Sequence, residues 1–361
     1  MISEEVKREE GDRDARASAE FSSSNIESFL VHSMPIIVYD EDGDEDEDED
    51  DDEDEDEDED EDVGENDVDF RLGDVWNSFA ETSAFGCEVP LEFQGKVIAQ
   101  YYSPFVSAFQ IFENDEDEDD EVDKDNKKSA TAQYFESVAP YSRAPMMDVI
   151  EKLTNENEKV SSLRVSEIDL NKSWISFAWY PIYRIPQGTS RTDIQGCFLT
   201  YHGFNHLNVR RRRRLRRRTT TSKNTTTTSK NSNEEENNID IINNNNNNNN
   251  DNKTNTRQLQ QKTPTSIPPP RPASLTLLGE LRLLRRIEDC KKQRSDDKKP
   301  SRALALKPFG LCCYKTDPEI FFAAENENES ERTAAMIDGA YAFLRGIKVI
   351  HPDYEFFSHH G

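Results

Sequence analysis

Apolar positions in this chain recur in short periodic blocks separated by long polar stretches. Ser24 to Val31 (SNIESFLV) predicts a short helix, with Ser24 able to cap it and Ile26, Phe29 and Leu30 on one face. Asp74 to Ala84 predicts a second helix, capped by Asp74 and ending near Gly86. Val97 to Tyr102 and Phe105 to Phe112 read as two strands with Ser103-Pro104 breaking them. Pro145 suits the first turn of a helix carrying Met147, Ile150 and Leu153 on one side. Trp174 to Tyr180 (WISFAWY) is apolar on both alternating faces, as a central strand is. Pro181 and Pro186 restrict its continuation to an edge or an irregular crossing. Cys197 to Phe204 is another strand, and Ala303 to Tyr314 holds one more. Ser330 to Ile350 is the best-marked helix. Ala334, Ile337, Tyr341 and Leu344 form one stripe, and Met336, Ala340, Phe343 and Ile347 widen it. So broad an apolar face implies a sheet beneath it. His351-Pro352 ends the helix. Strands and helices are not regularly interleaved and no repeat is visible. The expected fold is therefore α+β: a single globular domain with a mainly antiparallel sheet and flanking helices.

Composition locates that domain. Of 361 residues, 33 are aromatic, and the 90-residue stretch 210–299 holds none of them. A segment without aromatics has little apolar surface to offset its ordering entropy. The core is accordingly expected in three parts, 63–113, 130–209 and 300–361. An acidic loop at 114–129 and a basic, Asn-rich and Pro-rich insertion at 210–299 interrupt it, and both are expected to be disordered. The insertion includes the polyasparagine run Asn243 to Asn250 and an amphipathic helix candidate at 275–287. There Leu277, Leu281, Leu284 and Ile287 share a face with Arg282, Arg285 and Arg286 around it. It reads as a partner-binding helix, a membrane-surface helix, or a helix docked on the domain's own core. Residues 1–62 form an acidic N-terminal region, expected to be mostly disordered apart from the helix at 24–31.

Charge sharpens the division. The chain has 74 Asp and Glu against 44 Lys and Arg, and Asp40 to Asp62 alone contributes 22 acids. Asp115 to Glu121 contributes seven more, and the remaining 45 acids against 44 bases exclude a uniformly acidic globule. No apolar run approaches the length of a membrane span, and no secretory leader is read at the start.

Several blocks carry a family resemblance: SWISFAWYPIYRIP (173–186), CFLTYH (197–202), APYSRAP (139–145), VWNSFAETSAFGCEVPLEF (75–93), AQYYSPFVSAFQIF (99–112), KPFGLCCYK, and HPDYEFFSHH near the end. In this order they resemble the plant "domain of unknown function 789" family. Thr189 to Thr192 and Gln195-Gly196 depart from the family's usual pattern, and the Asn-rich insertion is longer. The resemblance implies a plant protein and transfers no catalytic residue.

Candidate chemistry is sparse. Cys87, Cys197, Cys290, Cys312 and Cys313 show no CxxC spacing and are expected to be reduced. Cys197 and His202 are five apart, so in one strand they face opposite ways and lie about 16 Å apart, too far for a nucleophile and its base. His351, His359 and His360 do not form a metal-ligand spacing. No GxSxG, GxGxxG, P-loop or HExxH occurs. No catalytic residue, cofactor or metal is assigned. The densest aromatic and Arg group is Trp174, Trp179, Tyr180, Tyr183 and Arg184, with Tyr141 and Arg143 as neighbours. Core packing accounts for it, and a recognition surface is the functional alternative. Arg210, Arg211, Arg212, Arg213, Arg214, Arg216, Arg217 and Arg218 form a basic patch suited to importin or to phosphate.

The leading expectation is a non-enzymatic protein-interaction or regulatory module, intracellular, with the nucleus its address and the cytoplasm the alternative. The alternatives are an enzyme with a site on the sheet, and a nucleic-acid-associated nuclear factor acting through the arginine run.

Overall fold

The strand expected from WISFAWY lies in the middle of the main sheet. A computed structural model describes residues 24–40, 68–114, 129–183, 194–209, 267–294, 301–323 and 327–360. In chain order the elements are helix α1 (Asn25–Ser33), strand β1 (Ile36–Asp40), helices α2 (Leu72–Asn77) and α3 (Ala80–Phe85), and strands β2 (Cys87–Phe93), β3 (Lys96–Ile111) and β4 (Ala132–Phe135). Helices α4 (Met146–Glu156) and α5 (Lys159–Ser162), strands β5 (Trp174–Ile182) and β6 (Cys197–Gly203), and helix α6 (Leu277–Arg294) follow. Strands β7 (Ser301–Ala305) and β8 (Pro308–Tyr314) and helices α7 (Pro318–Phe321), α8 (Glu327–Ile347) and α9 (Pro352–His360) complete the described chain. One sheet runs β2-β3-β5-β6-β8 with β4 also on β3, and β1 and β7 form a second, two-stranded sheet. All pairings are antiparallel, so the fold is α+β as the pattern predicts.

Alternation along β5 explains the layering. Ile175, Phe177 and Trp179 pack on one face with Phe29 of α1, Trp76 of α2 and Phe198 of β6. Trp174 and Ala178 point the other way, into a second core with Leu199, Tyr201, Phe309, Phe343 of α8 and Phe357 of α9. A strand covered by helices on both sides has no polar face, which is why WISFAWY reads apolar throughout.

The structure departs from the sequence reading at several points. β3 is one continuous strand through Pro104. Its β2 partner ends at Tyr102 and its β4 partner begins at Ala108, so Pro104 faces no strand on that side and its missing N–H breaks no ladder bond. The helix expected over 74–84 is two helices, with Arg71 as the N-cap and Asp74 accepting its backbone N–H at 2.9 Å. Ala303 to Tyr314 is likewise two strands, in different sheets. In α8 the buried stripe is Met336, Ala340, Phe343, Leu344 and Ile347, while Ile337 and Tyr341 are exposed. In α4 the buried methionine is Met146, not Met147. Beyond His351-Pro352, Pro352–His360 forms the further helix α9.

Residues 24–40 supply α1 and β1, with Ile26, Phe29, Val31 and Ile37 all buried. Ser24 caps α1, its side chain accepting the Glu27 N–H, as its sequence position predicts. α6 packs against α1, β1 and β7. Thus two segments that the composition places in charged arms form part of the core.

Candidate functional site

Two features stand apart from ordinary packing: a buried polar layer beneath α9 and the outer face of α6. The polar layer begins at Arg143, which follows a short 3₁₀ turn at Pro140–Ser142. Its Nε donates to the Val138 carbonyl at 2.8 Å, Nη1 donates to Asp353 Oδ2 at 3.0 Å, and Nη2 pairs with Oδ1. The two side chains are only 2% and 6% exposed. Burial pulls the Arg143 pKa down, and the hydrogen bond and charge of Asp353 more than reverse this, leaving it raised. Ser107 stands at the register shift between Val106 and Ala108, and its hydroxyl also donates to Asp353 Oδ2. The guanidinium lies 5.6 Å from the centroid of the Tyr180 ring.

His351 closes the layer at the N-terminus of α9. Its Nδ1 accepts the Tyr354 N–H at 3.1 Å, which places the proton of the neutral ring on Nε2. The ring packs 6.1 Å from Trp174 and 5.6 Å from Tyr201 between centroids. Ser176 and Tyr201 are cross-strand neighbours, and their hydroxyls are buried side by side in this layer with the Tyr180 hydroxyl and His351 Nε2. Together these groups clamp α9 to the sheet.

The opposite face holds a second buried histidine. Trp179 Nε1 donates to Thr200 Oγ1 at 3.1 Å. That hydroxyl contacts His202 Nε2 at 3.0 Å, and His202 Nδ1 contacts the Leu306 carbonyl at 2.7 Å. Cys197 belongs to the core on the α8 and α9 side, so it and His202 do lie on opposite faces. Burial pushes the Cys197 thiol up to about 12 and those of Cys87 and Cys312 up to about 11. These thiols stay protonated at neutral pH and are poor nucleophiles. Among the described residues no three His, Cys, Asp or Glu side chains are grouped to hold a metal.

Burial lowers both His202 and His351 to about 3. Each is neutral when folded but gains a proton near its ordinary value of 6.5 when unfolded. Their contribution to stability is full above that value and is lost as pH falls from about 6.5 toward 3, with a slope of at most about 1.4 kcal/mol per pH unit for each. Urea unfolding between pH 7 and 4 should show this loss, and His202→Gln should flatten it relative to wild type. An unchanged slope in His202→Gln contradicts the assignment.

The aromatic and Arg group, for which core packing and a recognition surface are the two readings, is divided by the fold. Trp174 and Trp179 are each 1% exposed and lie on opposite sheet faces, because neighbours at an odd spacing in a strand diverge. Arg143 and Tyr180 join Trp174 in the layer beneath α9. Tyr141 and Tyr183 reach solvent, at 93% and 55% exposure. Arg184 and the run Arg210 to Arg218 lie outside the described residues. Asp353, Ser107 and Glu27 were not singled out by sequence, where each is an ordinary polar residue.

α6 is the accessible feature. Glu27 fixes its start: Oε1 accepts the Thr276 N–H at 2.5 Å and Oε2 accepts the Thr276 hydroxyl at 2.6 Å. Thr276 Oγ1 in turn accepts the Gly279 N–H at 3.1 Å. A Cβ at Gly279 would stand 2.9 Å from Glu27 Oε1 and 3.1 Å from Leu275 Cβ, so a larger residue would have to displace the Glu27 carboxylate. Burial raises the Glu27 pKa, against the Thr276 hydrogen bonds. One turn on, Leu283 is buried and Arg286 donates to the Val31 carbonyl. Lys307 Nζ pairs with Glu280 Oε1 at 2.6 Å. Gly279, Leu283, Arg286 and Cys290 therefore face the core at helical spacing. The opposite face carries Leu277, Leu281 and Leu284, exposed by 69%, 46% and 54%. Arg285 flanks it, also exposed. Sequence identified this leucine stripe but not that it would face outward.

Comparison with known proteins adds one finding. The family model described as "Protein of unknown function (DUF789)" matches residues 24–132, 113–242 and 277–357. No curated protein matches the chain, and no solved structure does. No helix among the described residues is long and apolar enough to cross a membrane.

Proposed function

The chain belongs to the DUF789 family, and we propose that it is a non-enzymatic protein-interaction module. Its docking element is the outer face of α6. One observation carries the reading: three leucines at positions i, i+4 and i+7 stay exposed on a helix whose other face is locked to the core. That spacing is the contact pattern of helix-to-helix recognition. Contiguous exposed apolar patches on otherwise folded proteins mark interaction sites. Arg285 beside the stripe favours a partner helix with an apolar seam and an acidic flank. A nuclear address at Arg210 to Arg218 forms part of the same proposal, carried by the sequence run alone.

The test is affinity capture with the full chain against Leu281→Asp and Leu284→Asp. Both sites are exposed, so the variants should unfold within a few tenths of a kcal/mol of wild type. Partner recovery should fall at least about tenfold, as loss of an apolar anchor does. Undiminished recovery from both variants removes α6 as the docking element.

A further inference from the structure

We infer that Ser274, in the proline-rich strap leading into α6, is a phosphorylation site for a basophilic serine/threonine kinase, and that its phosphate loosens the hold of Glu27 on the start of α6. The inference does not depend on what α6 docks. Residues 267–276 form neither helix nor strand. Separate hydrogen bonds pin this strap to the domain. The Pro269 carbonyl accepts from the Asn205 side chain, the Ala273 N–H donates to the Pro308 carbonyl at 3.3 Å, and the Thr276 N–H donates to Glu27. Pro269 is buried against Gly203, where a Cβ would stand 2.7 Å from Pro269 Cβ. Arg271 and Ser274 are exposed. Isolated bonds of this kind open locally at little cost, as entry into a kinase cleft requires.

The residues around Ser274 carry the recognition. Among the described residues it is the only serine or threonine with arginine three positions before it (Arg271-Pro272-Ala273-Ser274), and Leu275 follows. A basophilic kinase binds such an arginine with carboxylates, through paired charge-assisted hydrogen bonds that a glutamine does not reproduce. In the reaction a base of the kinase takes the Ser274 hydroxyl proton and Oγ bonds to the γ-phosphorus of ATP. The bond from that phosphorus to the β,γ-bridging oxygen breaks and releases ADP.

The consequence follows from the surroundings. Ser274, Glu27, Glu329 and Arg332 border one small cavity, so two carboxylates stand there against one guanidinium. Glu27 holds Thr276, two residues beyond Ser274, by its N–H and its hydroxyl. Glu329 accepts the Ser24 N–H at 3.0 Å. Burial raises the Glu27 pKa, and the charge of Glu329 adds to the rise. A phosphate on Ser274 brings roughly two more negative charges beside these carboxylates and competes with Glu27 for the positive end of α6. Its repulsion of Glu27 parts α1 from the start of α6.

The full chain, Ser274→Ala and Arg271→Gln are each incubated with ATP and a calcium/calmodulin-dependent protein kinase, which selects arginine at this position. Phosphate is then located by site-resolved mass spectrometry. Ser274 should be modified in the full chain at least about tenfold faster than in Arg271→Gln. The Thr276 to Gly279 amides should then exchange hydrogen at least about tenfold faster than in Ser274→Ala treated identically. In Glu27→Gln, which keeps the acceptor and removes the charge, this acceleration should shrink at least about threefold. No phosphate on Ser274, or equal rates in Arg271→Gln, overturns the inference. So does exchange that phosphorylation leaves unchanged, or the same acceleration in Glu27→Gln.

Discussion

Asp353→Ala destabilises the protein by about 3–5 kcal/mol, because it leaves the Arg143 guanidinium buried without its counter-charge. The side chains of the pair are 2% and 6% exposed, so water cannot take over the lost contacts. Ser107 loses its acceptor in the same change. For a domain of this size the unfolding midpoint should fall by roughly 10 °C. Removing both charges together, as Arg143→Met with Asp353→Leu, should cost less than the single change, since no charge is stranded. Urea unfolding of the wild type, both singles and the double closes the cycle. A loss under about 1 kcal/mol in Asp353→Ala would show that the pair does not hold α9.

Phe29→Ala should cost about 3–5 kcal/mol, the usual range for deleting a fully buried aromatic ring. Phe29 is 0% exposed and its ring lies 4.1 Å from Phe198, 5.2 Å from Tyr102 and 5.9 Å from Trp179 between centroids. The variant tests whether α1 is integral to the core. Denaturant midpoints near those of wild type would mean that α1 is a peripheral attachment.

What the sequence disclosed depended on how local its causes are. WISFAWY announced a strand buried on both faces, because the pattern is written within seven residues. Ser24 announced its helix for the same reason. Pro104 misled, since whether a proline breaks a strand depends on which neighbour it faces, and that is set by β2 and β4 rather than by residues 103 and 104. The helix at 24–31 was legible, but its place in the core and the strand after it were masked by the acidic tract that follows: averaged over 62 residues, the apolar content of 24–40 disappears. The polar layer was out of reach for a different reason. Arg143 and Asp353 are 210 positions apart, and Ser24 and Glu329 are 305 apart. Only the folded sheet brings them together. The outward turn of α6 was equally hidden, because Leu283 and Leu284 are alike in sequence and differ only in what packs against them.

The central claim, that α6 docks a partner through its outer leucines, is tested most directly by photo-crosslinking from position 281 in the cells that produce the protein. A benzophenone side chain replaces Leu281, and for comparison replaces Glu151, an exposed position on α4. The account predicts crosslinks from position 281 to a segment of another protein with leucine-like residues at helical spacing and an acidic flank, and none of these from position 151. Equal crosslinking from the two positions, or crosslinks from 281 only within the chain itself, would contradict it.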